Sequence, residues 1–236
     1  MTAVDTDAAS PPLRAIRSFV LRQGRITAAQ SRALDELRPR YALEMSEQPL
    51  DLDEVFARRA ERVLEIGFGN GEALLDSAVR HPERDFIGIE VHGPGVGRLM
   101  KDAAAASVEN LRVFQDDAVQ VLARAIPAGA LAEVRVFFPD PWPKKKHHKR
   151  RLVQPAFVAG VRRVLRDGGR LHLATDWPAY AEHMLEVMSA APGFGNAAGH
   201  GCFSERPVAR ALTHFEQRGL RLGHPVHDLI FEAIPT

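Results

Sequence analysis

The sequence predicts an α/β protein built on one doubly wound, mostly parallel sheet with helices on both faces. Beyond Asp51, short apolar runs alternate with helical segments over short connections. The runs are mostly continuous rather than alternating, as in strands covered on both sides. The first of them ends in clustered glycines, where a strand would turn into a helix.

In chain order the strand candidates are RVLEIG (62–67), DFIGIE (85–90), LRVFQ (111–115), VRVFFP (134–139) and RLHLAT (170–175). A last apolar segment, DLIFEAI (228–234), is expected to add an edge strand. Helices are expected in EALLDSAVRH, in an alanine-rich stretch from Met100 to Ala106, in DAVQVLARAI and in PAFVAGVRRVLRD, the last closed by Gly168. GFGNAAGHG (193–201) matches no motif.

The 236 residues and 26.0 kDa suit one large domain with appendages. Residues 1–12, rich in Ala, Asp, Thr and Pro, are expected to be a disordered tail. Residues 13–50 read as a basic arm, RAIRSFVLRQGR, followed by a short helix that opens at the capping-box pattern Thr27 to Gln30 and ends before Pro39. The α/β domain spans 51–236. A single cysteine, Cys202, excludes an intramolecular disulfide and fits a reducing cytoplasm; with strand-sized apolar runs and no apolar leader core, a soluble cytoplasmic protein is expected, without membrane contact and as a monomer or homodimer.

In LEIGFGNGE, Gly67, Gly69 and Gly71 occupy alternate positions that let backbone approach a ligand. A dinucleotide fingerprint places its third glycine where this chain has Glu72, a poor neighbour for a pyrophosphate, so a nicotinamide oxidoreductase is disfavoured. Glu90 ends the second strand about twenty residues after the turn, where an acid can accept from ribose hydroxyls. Glu65 in the turn and Asp117 after the third strand bring further carboxylates to the same sheet end. Acids without phosphate-binding features suit a cationic nucleoside, and S-adenosylmethionine carries both a sulfonium and an ammonium.

The fourth strand runs into FFPDPWPKKKHHKRR (137–151). Asp140 is held between two prolines ahead of Trp142, so a carboxylate and an indole face are fixed in narrow directions, able to bond and stack on a flat base. Lys144, Lys145, Lys146, Lys149, Arg150 and Arg151, with His147 and His148, follow at once. The formal net charge is only +1, so this is a local cluster, and such a cluster beside a strand end points to a polyanion. Adjacent histidines inside a cationic run repel metal ions, and no His/Cys spacing suits one, so no metal is expected.

From RSFVLRQGR onward, through LEIGFGNGE, FIGIE, DDAVQVL, FFPDPWPKKKHHKRR, ATDW and THFEQRG, the sequence resembles the bacterial tRNA (guanine-N7)-methyltransferases, a family with the Rossmann-like class I methyltransferase fold. The FPDPW segment with its basic run is the most specific part. The resemblance implies methyl transfer from S-adenosylmethionine to N7 of the variable-loop guanosine (position 46) of tRNA. It implies cofactor contacts at Glu65, Glu90 and Asp117, the choice between Asp116 and Asp117 falling on the latter because it directly precedes Ala-Val of the next helix. It further implies Asp140 as the catalytic aspartate, Lys144 as a substrate-binding lysine, Lys146 to Arg151 as the RNA-contact region, and substrate contacts at Asp176 and at Thr213, His214, Phe215 and Glu216. By composition alone Asp176 reads equally as a helix cap, and His214 as packing. The alternatives are a methyltransferase of another RNA and a non-catalytic RNA-binding module.

Overall fold

The computed structural model describes residues 18–19, 28–208, 210, 216, 223 and 225–235. The 1–12 tail, most of the basic arm, and the expected contacts Thr213, His214 and Phe215 lie outside the described residues.

Eight strands form one sheet: β1 (Ala42–Leu43), β2 (Arg62–Ile66), β3 (Asp85–Ile89), β4 (Leu111–Phe114), β5 (Leu131–Phe137), β6 (Leu165–Thr175), β7 (Phe194–Asn196) and β8 (His227–Ala233). They lie in the order β1-β4-β3-β2-β5-β6-β8-β7, parallel from β1 to β6, with β8 antiparallel to both β6 and β7. The chain fills one side of β2 with β3 and β4, then crosses to β5 and β6 on the other. That reversal opens a crevice beyond the carboxyl ends of β2 and β5, the place where such sheets hold ligands.

Helices α1 (Ala28–Tyr41), α3 (Glu72–Arg80) and α4 (Gly93–Ala105) cover one face, packing Leu74, Leu99, Met100 and Tyr41 against Val63, Phe86 and Val113. Helices α2 (Leu52–Phe56), α5 (Ala118–Arg124), α6 (Pro155–Val164) and α7 (Pro178–Ser189) cover the other, packing Phe56, Val121, Phe157 and Tyr180 against Leu64, Ile66, Ile87 and Val134. Successive residues of β2 thus serve opposite faces, as a pleated strand requires.

Four details correct the expectations. Helix α1 runs through Pro39 rather than stopping before it. Only its last turn loses a backbone bond there, and Tyr41, fully buried with its hydroxyl donating to the Val108 carbonyl at 2.9 Å, anchors the end. Helix α4 starts at Gly93, inside GPGVG, because Pro94 stands in the first turn where no N–H is needed. The run after α6 enters β6 directly, and Gly168 (φ +73°) sits in that strand beside a register shift, not at a helix end. The last strand is internal rather than an edge: the unassigned glycine-rich stretch supplies β7, which covers β8.

Candidate active site

The crevice encloses a cavity of about 650 Å³, lined among others by Gly67, Gly69, Glu90, Asp116, Asp140 and Trp142. That volume lies in the range of sites for small ligands and cofactors. Its floor is apolar, with Ile66, Ile89 and Val136 at three adjacent strand ends.

The glycine turn is built by backbone conformation. Gly67, Gly69 and Gly71 all have positive φ (+76°, +59° and +79°), which side chains rarely adopt. At Gly67 and Gly69 a Cβ would project into open space, so both expose bare backbone to the cavity. Gly71 does something else: it precedes α3, and a Cβ there would meet Leu99 at 2.7 Å. It is a packing glycine and does not line the cavity. Gly95 completes the arrangement, since a Cβ on it would sit 2.0 Å from the Gly69 carbonyl oxygen. Sequence reasoning missed Gly95, although its place in GPGVG just after Glu90 was the available signal.

The carboxylates part company. Glu90 lines the cavity and braces the turn: its Oε2 accepts from the Gly69 N–H at 2.9 Å, its Oε1 from Val91 N–H at 2.7 Å and His92 N–H at 3.0 Å. Asp117 is the N-cap of α5, accepting from Val119 N–H at 2.9 Å, while its neighbours Asp116 and Ala118 line the cavity. Glu65 is turned away from the cavity, because alternation along β2 sends Ile66 toward it and Glu65 to the opposite face. There it is 4% exposed, in register with Arg135 on β5, and its Oε2 has no hydrogen-bond partner among the described residues. Burial pushes its carboxyl up to about 7; Arg135 opposes this and Glu133 adds to it. Arg135 is itself engaged by Glu133 and Ser77.

Asp140 stands exposed on the cavity wall just beyond β5. The chain bends sharply on both sides of it, with Phe138 at φ +50° and Trp142 at φ +45°, two left-handed residues that are not glycine. Such conformations persist only where surroundings enforce them. Phe138 is pinned by its N–H to the Ala174 carbonyl at 2.8 Å. Trp142 donates its indole N–H to the Ser18 carbonyl at 3.1 Å, drawing Ser18 and Phe19 of the arm onto the cavity wall. Its ring is met by the Arg150 guanidinium at 5.0 Å and edge-on by His147 at 5.8 Å. The indole expected to stack on a base therefore secures the basic segment as well.

That segment is a 3-10 helix, Lys145–Arg150, behind Lys144. Lys144, Lys145, Lys146 and Lys149 are exposed, and Arg150, His147 and His148 are half-buried. Partial burial, then the neighbouring Arg150 and lysines, hold the His147 imidazole below its usual range. Arg151, expected to contact RNA, is only 4% exposed. Its guanidinium donates to the carbonyls of Pro141 (3.0 Å) and Ala179 (3.3 Å) and lies over Tyr180 at 4.8 Å, tying the basic helix to α7.

Asp176 follows β6 and is half-buried; it does not line the cavity, and it is not the cap of α7, which is Trp177. Glu216 is 1% exposed and both its oxygens accept from arginines, Oε1 from Arg206 and Arg210 and Oε2 from Arg210. It is thus an internal anchor in this structure rather than an open substrate contact. Among the described residues no His, Cys, Asp and Glu group could hold a metal, and no helix is long and apolar enough to cross a membrane.

A mostly parallel eight-stranded sheet with an antiparallel β8, carrying a bare glycine turn and a strand-end aspartate at its switch point, has the class I methyltransferase fold. Solved structures share it: the 16S rRNA methyltransferase KamB aligns with a TM-score of 0.59 at 18% identity, over 83% of this chain and 99% of that one. A 16S rRNA (adenine(1408)-N(1))-methyltransferase variant from Catenulisporales acidiphilia aligns at 0.54 and 18%, over 82% and 98%; both speak to the fold alone. A family described as putative methyltransferase matches residues 59–229. Over 220 residues the chain is 57% identical to the tRNA (guanine-N(7)-)-methyltransferase of Alcanivorax borkumensis, covering 93% of this chain and 92% of that protein. The Pseudomonas putida enzyme of the same name is 52% identical over 233 residues, 99% and 97% of the two chains. The chain belongs to the tRNA (guanine-N(7)-)-methyltransferase family.

Proposed function

We propose that the protein transfers the methyl group of S-adenosylmethionine to N7 of the variable-loop guanosine of tRNA. The observation that carries this reading is that one cavity joins Gly67, Gly69 and Glu90 to Asp140, with the exposed lysines 144–146 and 149 following Asp140 directly in the chain.

The residues present fit the cofactor. Gly67 and Gly69 leave room that any side chain would fill, and Glu90 and Asp116 offer carboxylate to hydroxyl and amino groups. Asp117, as the cap beside them, sets the direction of the segment. When bound, S-adenosylmethionine supplies an electrophilic methyl on a positively charged sulfur.

Guanine N7 carries an in-plane lone pair and no proton, so this chain needs no general base. Its task is placement, and alignment of reacting atoms at about 3–3.5 Å accounts for much of such an acceleration. Asp140, on a stretch bent by two left-handed residues, faces the base edge: its carboxylate accepts from the N1–H and amino group and stabilises the positive charge that spreads over the purine. Lys144, Lys146, Lys149 and Arg150, with His147 and His148, receive the phosphate backbone. Asp176, Thr213, His214 and Phe215 are further substrate contacts in this reading.

The test is transfer of labelled methyl to unmodified tRNA followed by nucleoside digestion. The expected product is 7-methylguanosine at one variable-loop site. Label in another nucleoside, or none in tRNA despite cofactor binding, would overturn the reading.

A further inference from the structure

One buried charge network lies beyond the cavity and outside the proposed site. Arg210 donates to Glu216 Oε2 at 2.8 Å and Oε1 at 2.7 Å, and to Asp228 Oδ2 at 3.2 Å. Asp228, on β8, also accepts from His172 Nε2 of β6 at 2.7 Å. Arg206 adds a bond to Glu216 at 2.8 Å and another to the Arg210 carbonyl at 2.5 Å. Arg210, Glu216, Asp228 and His172 are all nearly inaccessible to solvent.

Burying charges in this way costs desolvation that can exceed their attraction, so this network is weak evidence for added stability. What this one fixes is visible on its other side. The Arg210 guanidinium lies 5.5 Å from the Phe137 ring and 6.0 Å from the Phe138 ring, and His172 meets Phe137 edge-on at 4.9 Å. Phe137 is the last residue of β5, and Phe138 is the left-handed residue two positions before Asp140. A left-handed phenylalanine persists only where its surroundings enforce it, and here the side chain is met by Arg210 as well as the backbone N–H bonded.

We infer that Arg210 is a positioning residue: anchored by Glu216 and Asp228, it clamps Phe137 and Phe138 and so sets the direction in which Asp140 leaves β5. The inference rests on the reading that Asp140 meets the target base. It also gives Glu216 a role that needs no contact with substrate, linking Arg206 and Arg210 to the strand end.

The test compares Arg210→Lys, Asp140→Asn and the double variant in the full chain, reading kcat and KM for tRNA and Kd for S-adenosylmethionine. Lysine keeps the charge but cannot bridge two carboxylates while covering two rings. Arg210→Lys is expected to lower kcat by about 10- to 100-fold, the scale of a misplacement near 1 Å. Cofactor Kd and tRNA KM should stay within about twofold. The double variant should be no slower than Asp140→Asn alone, because nothing is left to position. Unchanged kcat, full additivity in the double variant, or cofactor affinity falling in step with kcat would each overturn the inference. Should Arg210→Lys not fold, Asp228→Asn takes its place, with a smaller loss of kcat of the same pattern expected and the same overturning results. Full turnover by Asp140→Asn would sink the reading of the site and the inference with it; a crippled Asp140→Asn beside a fully active Arg210→Lys sinks the inference alone.

Discussion

The two halves of the cavity are made by different means. The half formed by β2, β3 and α4 is shaped mainly by backbone: glycine conformations, one close approach at Gly95, and Glu90 accepting from three N–H groups. The half around Asp140 is shaped by side chains from distant parts of the chain: Trp142 holds Ser18, Arg151 holds α7, and Arg210 reaches Phe137 and Phe138. Apart from the Glu90 carboxylate, the first is disturbed chiefly by adding atoms, the second by removing them. Cofactor binding and base placement should therefore fail separately.

The sharpest separation is at Asp140. Asp140→Asn keeps shape and removes charge, and should lower kcat by about 10³-fold, the upper end for loss of one preorganised electrostatic group, with cofactor Kd within about threefold. Turnover with labelled cofactor and calorimetric titration check this pair of numbers. Equal loss of both would move Asp140 to the cofactor half.

Glu65 tests whether the backbone-made half hides a cost. Its folded pKa of about 7 exceeds the ordinary carboxyl value because burial disfavours the charge. A carboxyl raised in this way leaves stability untouched below about pH 4.5 and destabilises progressively as pH rises to about 7, by up to about 3 kcal/mol. Glu65→Gln should therefore be more thermostable than the parent at pH 8 and indistinguishable from it near pH 4.5, read by calorimetric melting at both. If the variant instead loses stability at pH 8, the ionised carboxylate is supported by Arg135. A fall in cofactor affinity would show that Glu65 reaches the ligand after all.

Gly95→Ala adds one methyl 2.0 Å from the Gly69 carbonyl, so the turn or α4 must shift. Cofactor affinity should fall by about 30-fold, equivalent to about 2 kcal/mol of overpacking strain, while tRNA binding is retained. Filter binding of tRNA beside cofactor titration separates the two effects. A parallel fall in both affinities would make the two halves one cooperative unit.

These contrasts also explain what was legible in the sequence. Strands β2 to β6 and the glycine turn show themselves as local patterns, because a continuous apolar run or a strand-end glycine carries its own signal. The start of α4 did not, since Pro94 and three glycines read as a break until Gly69 is seen to need Gly95 beside it. Glu65 was misplaced for want of one step, the alternation that gives Ile66 the cavity side. Arg210 could not be found locally: its partner Asp228 lies on β8 and is bonded in turn to His172 on β6.

The same limit applies within the basic run, where six cations look equivalent in sequence but not in space. Lys149 is exposed and Arg150 half-exposed on the 3-10 helix, whereas Arg151 is folded inward onto Pro141, Ala179 and Tyr180. Replacing Lys149 and Arg150 by alanine should raise tRNA KM about tenfold and reduce the slope of log affinity against log salt by about two, one for each phosphate no longer neutralised. Arg151→Ala should leave that slope unchanged and instead lower melting temperature by several degrees, because the guanidinium that ties the basic helix to α7 disappears from a buried site. An altered salt slope in Arg151→Ala would mean that the guanidinium swings out to meet RNA, and the side-chain half of the cavity would then be remodelled by its substrate rather than built in advance.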